Sequence, residues 1–206
     1  MKKVIVIIMV LFVVSCKRTE KKPLGNETIK ELIITEVAIP SYSSWGNQRA
    51  ILEEVPSNTS LDKVFRISRN SITASSFVHT QNISINFEST YRASVIVKAT
   101  ALNSFFGLRI VGGYPDRADA IFDLKEGTLV GVKKERDFRN PDATIEAMGE
   151  GWYKCSLTAE PYSDNIKILF GPTGEDKAVL GWEGLVGKKN DIFLVPSSFT
   201  LEKIKL

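Results

Sequence analysis

The sequence contains only two cysteines, Cys16 and Cys155, and a single histidine, His79, in 206 residues. One histidine excludes a metal site built from several imidazoles, and any Ser-His-Asp or Cys-His catalytic group would have to use His79. Cys155 falls on the apolar side of a predicted strand, which favours core packing over catalysis. His79 lies in a short run of strand-forming residues, and we expect its side chain to face solvent.

The sequence also lacks an apolar run long enough to cross a bilayer. Its longest run covers residues 4–14, whereas a transmembrane helix needs about 20 apolar residues. The run follows Lys2 and Lys3 and ends at Ser15, which is the order of charge, apolar core and small residue typical of a secretory signal. Residues 1–15 are therefore predicted to be an export signal.

The segment Val-Val-Ser-Cys at residues 13–16 resembles the lipobox of bacterial lipoproteins. The resemblance implies cleavage before Cys16, lipidation of its thiol, and a membrane anchor. A polar tether over residues 16–30 and one domain over residues 31–206 would follow. Lys17 is not the aspartate that retains enterobacterial lipoproteins at the inner membrane, so we expect the outer membrane, on its periplasmic or surface side. The alternative is a plain secreted protein.

The charge balance gives no reason to expect a nucleic acid partner. The chain has 27 basic and 24 acidic side chains, and loss of Lys2 and Lys3 with the signal leaves 25 basic side chains against 24 acidic ones. Nucleic-acid-binding domains depend on a basic surface. With Cys16 acylated, Cys155 has no partner for an internal disulfide.

Short runs of strand-forming residues separated by turn residues fill the chain from about residue 32 onward, without a long helical period. This spacing predicts an all-β sandwich or barrel. The predicted strands are residues 64–68, 82–87, 91–99, 105–111, 118–124, 128–133, 143–148, 152–159, 166–170, 192–195 and 199–206. Alternation gives each strand a core face and an outer face. In residues 105–111, Phe106, Leu108 and Ile110 are expected inside.

Several segments resemble, in their order, the jelly-roll modules related to carbohydrate-binding modules, of the galactose-binding-like or concanavalin-like kind. They include Tyr-Arg-Ala-Ser-Val-Ile-Val-Lys-Ala at 91–99, Phe-Gly-Leu-Arg-Ile at 106–110, Ala-Ile-Phe-Asp-Leu at 120–124, Gly-Trp-Tyr-Lys-Cys-Ser-Leu-Thr at 151–158 and Phe-Thr-Leu-Glu at 199–202. The similarity covers roughly residues 56–206. It implies an antiparallel two-sheet jelly-roll β-sandwich and non-catalytic glycan binding, and it carries over no binding residues.

Sugar-binding surfaces combine aromatic faces with planar polar side chains. Phe105 and Arg109 share the outer face of one predicted strand, where Arg109 would either bind a carboxylate or vicinal hydroxyls or pack its stem over the sheet. Tyr114, Asp116 and Arg117 form a second candidate cluster in a glycine-rich loop.

Two tryptophans lie in loops and are also candidates. Trp45, in a serine-rich loop, and Trp182, between glycines, would each either bind ligand or plug one end of the sandwich. Asp116, Asp119 and Asp123 could bind the structural calcium ion that jelly-roll sugar modules often carry, although their spacing does not match an EF-hand. No other cofactor is expected.

The expected function is capture of a polysaccharide or oligosaccharide at the bacterial cell surface, without catalysis, beside glycan-import or glycan-degrading partner proteins. One alternative is a structural or adhesive surface sandwich with no glycan ligand. The other is a jelly-roll polysaccharide lyase using His79 as its base, with Gln81 on the same strand face. The sequence does not place the opposed carboxylates that a glycosidase needs.

Overall fold

The computed structural model describes residues 32–56, 63–175 and 177–205, and the predicted signal, Cys16 and most of the tether lie outside these residues. The described part contains fourteen strands and one 3-10 turn, Tyr42–Ser44. The strands are β1 Ile33–Glu36, β2 Gly46–Gln48, β3 Ala50–Val55, β4 Val64–Arg69, β5 Phe77–His79, β6 Ile83–Ser84, β7 Thr90–Ala99, β8 Phe105–Val111, β9 Arg117–Asp123, β10 Thr128–Glu135, β11 Arg139–Gly149, β12 Trp152–Glu160, β13 Asn165–Pro172 and β14 Asp191–Lys205. None of the helical structure in these ranges has the length and apolar character of a membrane span.

The strands form two antiparallel sheets of seven strands each. Sheet A has the order β11-β12-β7-β14-β4-β3, with β1 paired to β14. Sheet B has the order β10-β9-β8-β13-β5-β2, with β6 paired to β13. The chain passes repeatedly from one sheet to the other, as in the wrapping of a jelly roll. The prediction of an all-β, antiparallel two-sheet sandwich is confirmed.

The core lies between the two inner faces. Phe106, Leu108 and Ile110 of β8 are fully buried there, as strand alternation predicts. Cys155 is also fully buried, on the inner face of β12. Burial raises the pKa of its thiol well above the ordinary value, so Cys155 is an unreactive packing residue.

Three predicted strands differ in extent from the observed ones. The segment 82–87 contributes only β6, because the hydroxyl of Tyr91 both accepts from the Asn86 N–H at 2.7 Å and donates to its carbonyl at 3.2 Å. These bonds hold the chain in a turn and take Asn86 out of strand pairing. The two predicted C-terminal strands form the single strand β14, which shifts register between Val195 and Thr200.

Candidate functional site

The outer face of sheet B is partly covered by residues 173–175 and 177–190, which lie between β13 and β14 and which we call the strap. Gly107 of β8 pairs with Gly171 of β13, and Trp182 of the strap lies against these two glycines. A β-carbon at Gly107 would overlap the indole of Trp182. The paired glycines thus form a flat floor for the Trp182 ring, which is 0% exposed.

Charged side chains fix the strap beside this ring. The Arg109 guanidinium donates from Nε to Asp119 Oδ1 at 2.6 Å. It also donates from Nη1 and Nη2 to the two carboxylate oxygens of Glu183, at 2.9 and 2.7 Å. Its centre lies 5.7 Å from the centroid of the Trp182 ring, within cation–π range. One buried arginine therefore connects β8, β9 and the strap.

The ion pairs continue across β9 to β10. Arg117 Nε lies 3.2 Å from Asp119 Oδ2, although the two atoms are not aligned for a hydrogen bond, and Arg117 Nη2 lies 2.8 Å from Glu135. Burial raises the pKa of Asp119 to about 6, and the neighbouring Arg109 and Arg117 limit the rise. The pKa of Glu183 is lowered, because its bonds to Arg109 outweigh its burial. Both carboxylates are ionised at neutral pH.

Arg69 holds the strap from its other side. Its guanidinium donates to the carbonyls of Pro172 at 3.2 Å, Ala74 at 3.1 Å and Glu183 at 2.8 Å, and it also contacts the Gly184 carbonyl. Burial lowers the pKa of Arg69 to about 10, so it remains charged at neutral pH. Because the acceptors are backbone carbonyls, these hydrogen bonds fix the course of the main chain as well as the Arg69 side chain.

The strap leaves open a groove of about 240 Å³ on the same outer face. The groove crosses three strands, β5, β13 and β8, and reaches β2 at the sheet edge. Its lining residues are Gln48, Phe77, His79, Val111, Lys167 and Leu169. Register brings them together, because Leu169 pairs with His79 and Lys167 pairs with Val111. This groove is the candidate binding surface.

The His79 ring has a defined hydrogen-bonding role in the groove. Its Nδ1 lies 2.9 Å from the carbonyl oxygen of Thr80, so Nδ1 carries the proton and donates. In the neutral ring Nε2 is then an acceptor. The ring lies against Gly46, where a side chain would overlap it, and its centroid is 6.1 Å from that of Phe77.

The groove combines apolar and hydrogen-bonding side chains. Phe77, Val111 and Leu169 supply an apolar floor, and Gln48 supplies a planar amide that both donates and accepts. Together with the His79 acceptor, they place polar groups beside an apolar surface.

Arg109 and Trp182 are both buried in the structure. The strap covers both, and Asp119 and Glu183 occupy the donors of Arg109. Phe105 is half-buried and packs against the apolar cluster that contains Trp182, Ile121 and Val179. Strand alternation correctly predicts that the Arg109 side chain points away from the core. It does not predict that the strap covers this outer face.

Of the two alternatives for Trp45, ligand binding or packing within the sandwich, the structure shows packing. Its ring centroid lies 4.9 Å from Phe170 and 5.4 Å from Phe199, between the two sheets. Gln81 does not share a strand face with His79, because β5 ends at His79 and the Gln81 amide donates to the Ser44 carbonyl.

The loop 112–116 is displayed as predicted. Tyr114 is 84% exposed, and the Arg117 guanidinium lies 5.9 Å from its ring centroid. The Asp116 N–H donates to the Gly113 carbonyl, which closes the turn. This loop follows Val111 directly, so it stands at one end of the groove.

The three aspartates considered for calcium do not gather at one place. Asp119 belongs to the ion pairs under the strap, whereas Asp123, at the far end of β9 from Asp116, accepts from the N–H groups of Lys125 and Glu126. Within residues 32–56, 63–175 and 177–205, no group of three or more Asp, Glu, His or Cys side chains is placed to hold a metal ion.

Most of the groove could not be predicted from the sequence. Gln48 lies in the short strand β2, which no pattern indicated, whereas Phe77 lies with His79 in the short strand-forming run that is β5 in the structure. Lys167 and Leu169 alternate correctly in a predicted strand, but nothing local shows which strands lie beside them. A scan of the chain against protein-family models finds no match, and a search of curated proteins finds none either.

Proposed function

We propose that the protein is a membrane-anchored, non-catalytic carbohydrate-binding lipoprotein that captures a glycan at the bacterial cell surface. The outer membrane is its proposed location, and glycan-import or glycan-degrading proteins are its proposed partners. The binding surface is the groove on sheet B, extended at one end by the Tyr114 loop. The lipid at Cys16 would keep this surface close to the membrane.

The observation that carries the proposal is the combination of side chains in the groove. An aromatic ring, Phe77, lies beside two planar polar groups, Gln48 and His79, on a rigid sheet. Ligand sites are typically apolar with a few well-placed polar groups. Sheet strands fix these side chains better than a loop would.

Replacement of Phe77 by alanine is expected to weaken glycan binding at least tenfold, which corresponds to about 1.4 kcal/mol. The aromatic face is lost, while His79 and Gln48 remain. The measurement is affinity electrophoresis of the full-length protein in mild detergent, over a panel of polysaccharides. Phe87→Ala is the matched control, since Phe87 is an exposed aromatic residue outside the groove.

Two results would contradict this function. If no polysaccharide retards the protein, the structural or adhesive alternative replaces glycan binding. A rise in ultraviolet absorbance from unsaturated sugar products would instead show a lyase, with His79 as its base. Equal binding by the Phe77→Ala and wild-type proteins would remove the groove from the glycan site.

Replacement of Cys16 by serine is expected to abolish incorporation of a labelled fatty acid and to move the protein out of the membrane fraction. The reason is that the proposed acyl chains are attached through this cysteine. The measurement is metabolic labelling followed by membrane fractionation. Cys155→Ser, at the buried thiol, should keep both properties. Label in the Cys16→Ser protein, or an unlabelled wild-type protein, would contradict the anchor.

A further inference from the structure

One basic aliphatic side chain, Lys167, lines the groove. The other lining residues are Gln48, Phe77, His79, Val111 and Leu169, and no carboxylate lines the groove within the described ranges. Lys167 is half-buried and forms no ion pair with another described residue. An ammonium group in a groove without carboxylates can pair with an anionic group of a ligand.

Three acidic side chains along the sheet from Lys167 are already paired with arginines. In register, Lys167 lies opposite Val111, Val111 lies opposite Arg117, and Arg117 lies opposite Glu135. Arg117 holds Glu135 at 2.8 Å, and Arg109 holds Asp119 and Glu183 at 2.6 and 2.7 Å. These three carboxylates therefore do not pair with Lys167.

The neighbours of Lys167 strengthen its pull on an anion. Val111 on one side and Leu169 along the same strand are apolar, so an anion seated there loses part of its water. Charge pairs are stronger where water is excluded. On the β6 side, Asn165 and Ser84 are neutral and bond each other at 3.0 Å, so they bring no opposing charge.

We infer that the groove takes an acidic saccharide, whose carboxylate or sulfate group lies beside Lys167 while its hydroxyls meet His79 Nε2 and the Gln48 amide. This inference rests on the proposed glycan-binding function and specifies its ligand class. A carboxylate and a sulfate would each pair with the Lys167 ammonium group. Two pairs of charged and uncharged polysaccharides distinguish between them.

The test compares charged and uncharged forms of two polysaccharides by affinity electrophoresis of the full-length protein in mild detergent. Polygalacturonate is paired with its methyl ester, and a sulfated galactan with its desulfated form. At least tenfold tighter binding of polygalacturonate assigns a uronate, and the same preference for the sulfated galactan assigns a sulfate ester. Equal binding of charged and uncharged forms overturns the inference and leaves the proposed function intact. No binding to any of the four counts against both.

The variant Lys167→Gln should lose the preference for the charged form, and Lys167→Arg should keep it. Lys154→Gln is the matched control, because Lys154 is a half-buried strand lysine of sheet A. Binding of the charged polysaccharide should also weaken with added salt in the wild-type protein and much less in Lys167→Gln. Thermal melting checks that each variant is folded. A folded Lys167→Gln protein that retains the preference and the salt dependence overturns the inference.

Discussion

Replacement of Arg109 by alanine is expected to lower the free energy of unfolding by about 3–5 kcal/mol. The change leaves Glu183, whose side chain is 15% exposed, without its arginine, and it leaves the fully buried Asp119 with Arg117 alone among the described residues. Removing one partner of a buried ion pair costs more than the pair contributes, because the remaining charge has lost its water. Equilibrium unfolding in guanidinium chloride at pH 7 measures the change.

The matched control is Arg66→Ala. Arg66 pairs with Glu53 at 2.8 Å, but their side chains are 43% and 50% exposed. Exposed pairs contribute about 0–1 kcal/mol, so this variant should be almost as stable as the wild type. If both variants lost the same small amount, Arg109 would not stabilise the strap in the way that its contacts indicate.

Replacement of Trp182 by alanine is expected to cost about 3–5 kcal/mol, as for other large buried aromatic residues. The indole fills the space above Gly107 and Gly171, and the alanine side chain is too small to reach this floor. The strap should then open more often, and trypsin should cut sooner at its lysines, Lys177, Lys188 and Lys189. Denaturant unfolding and a proteolysis time course measure the two effects.

Tyr114→Ala is the control for this substitution, because Tyr114 is an aromatic residue that is 84% exposed. Its stability should stay within about 0.5 kcal/mol of the wild type. A Trp182→Ala protein with wild-type stability and an unchanged cleavage rate would show that the strap is held without its tryptophan.

Strand periodicity was enough to predict the sandwich, because burial of one face repeats every second residue. The inner positions Phe106, Leu108 and Ile110 follow this rule along the whole of β8. Outer positions depend on what covers the sheet, and for Arg109 that is Glu183, 74 residues further along the chain. No local pattern contains this information.

The sequence does contain one signal that another part of the chain lies on this face. Gly107 interrupts an otherwise bulky predicted strand, and a glycine inside a strand often marks close approach by another part of the chain. The observed approach is that of Trp182. The groove gave a weaker signal. The run at residues 77–79 is recognisably strand-forming, but it does not show which strands lie beside it, and β2 has no pattern of its own.

The burial of Cys155 has a practical consequence for measuring the dynamics of this fold. Its thiol is fully buried between Val95 and Ile145, on the neighbouring strands of sheet A. A thiol reagent can therefore reach it only when the packing around β12 opens. In a Cys16→Ser form Cys155 is the only thiol, since the chain has two cysteines. Its rate of alkylation then reports the opening of the core at β12, and comparison with proteolysis of the strap would show whether the strap opens separately.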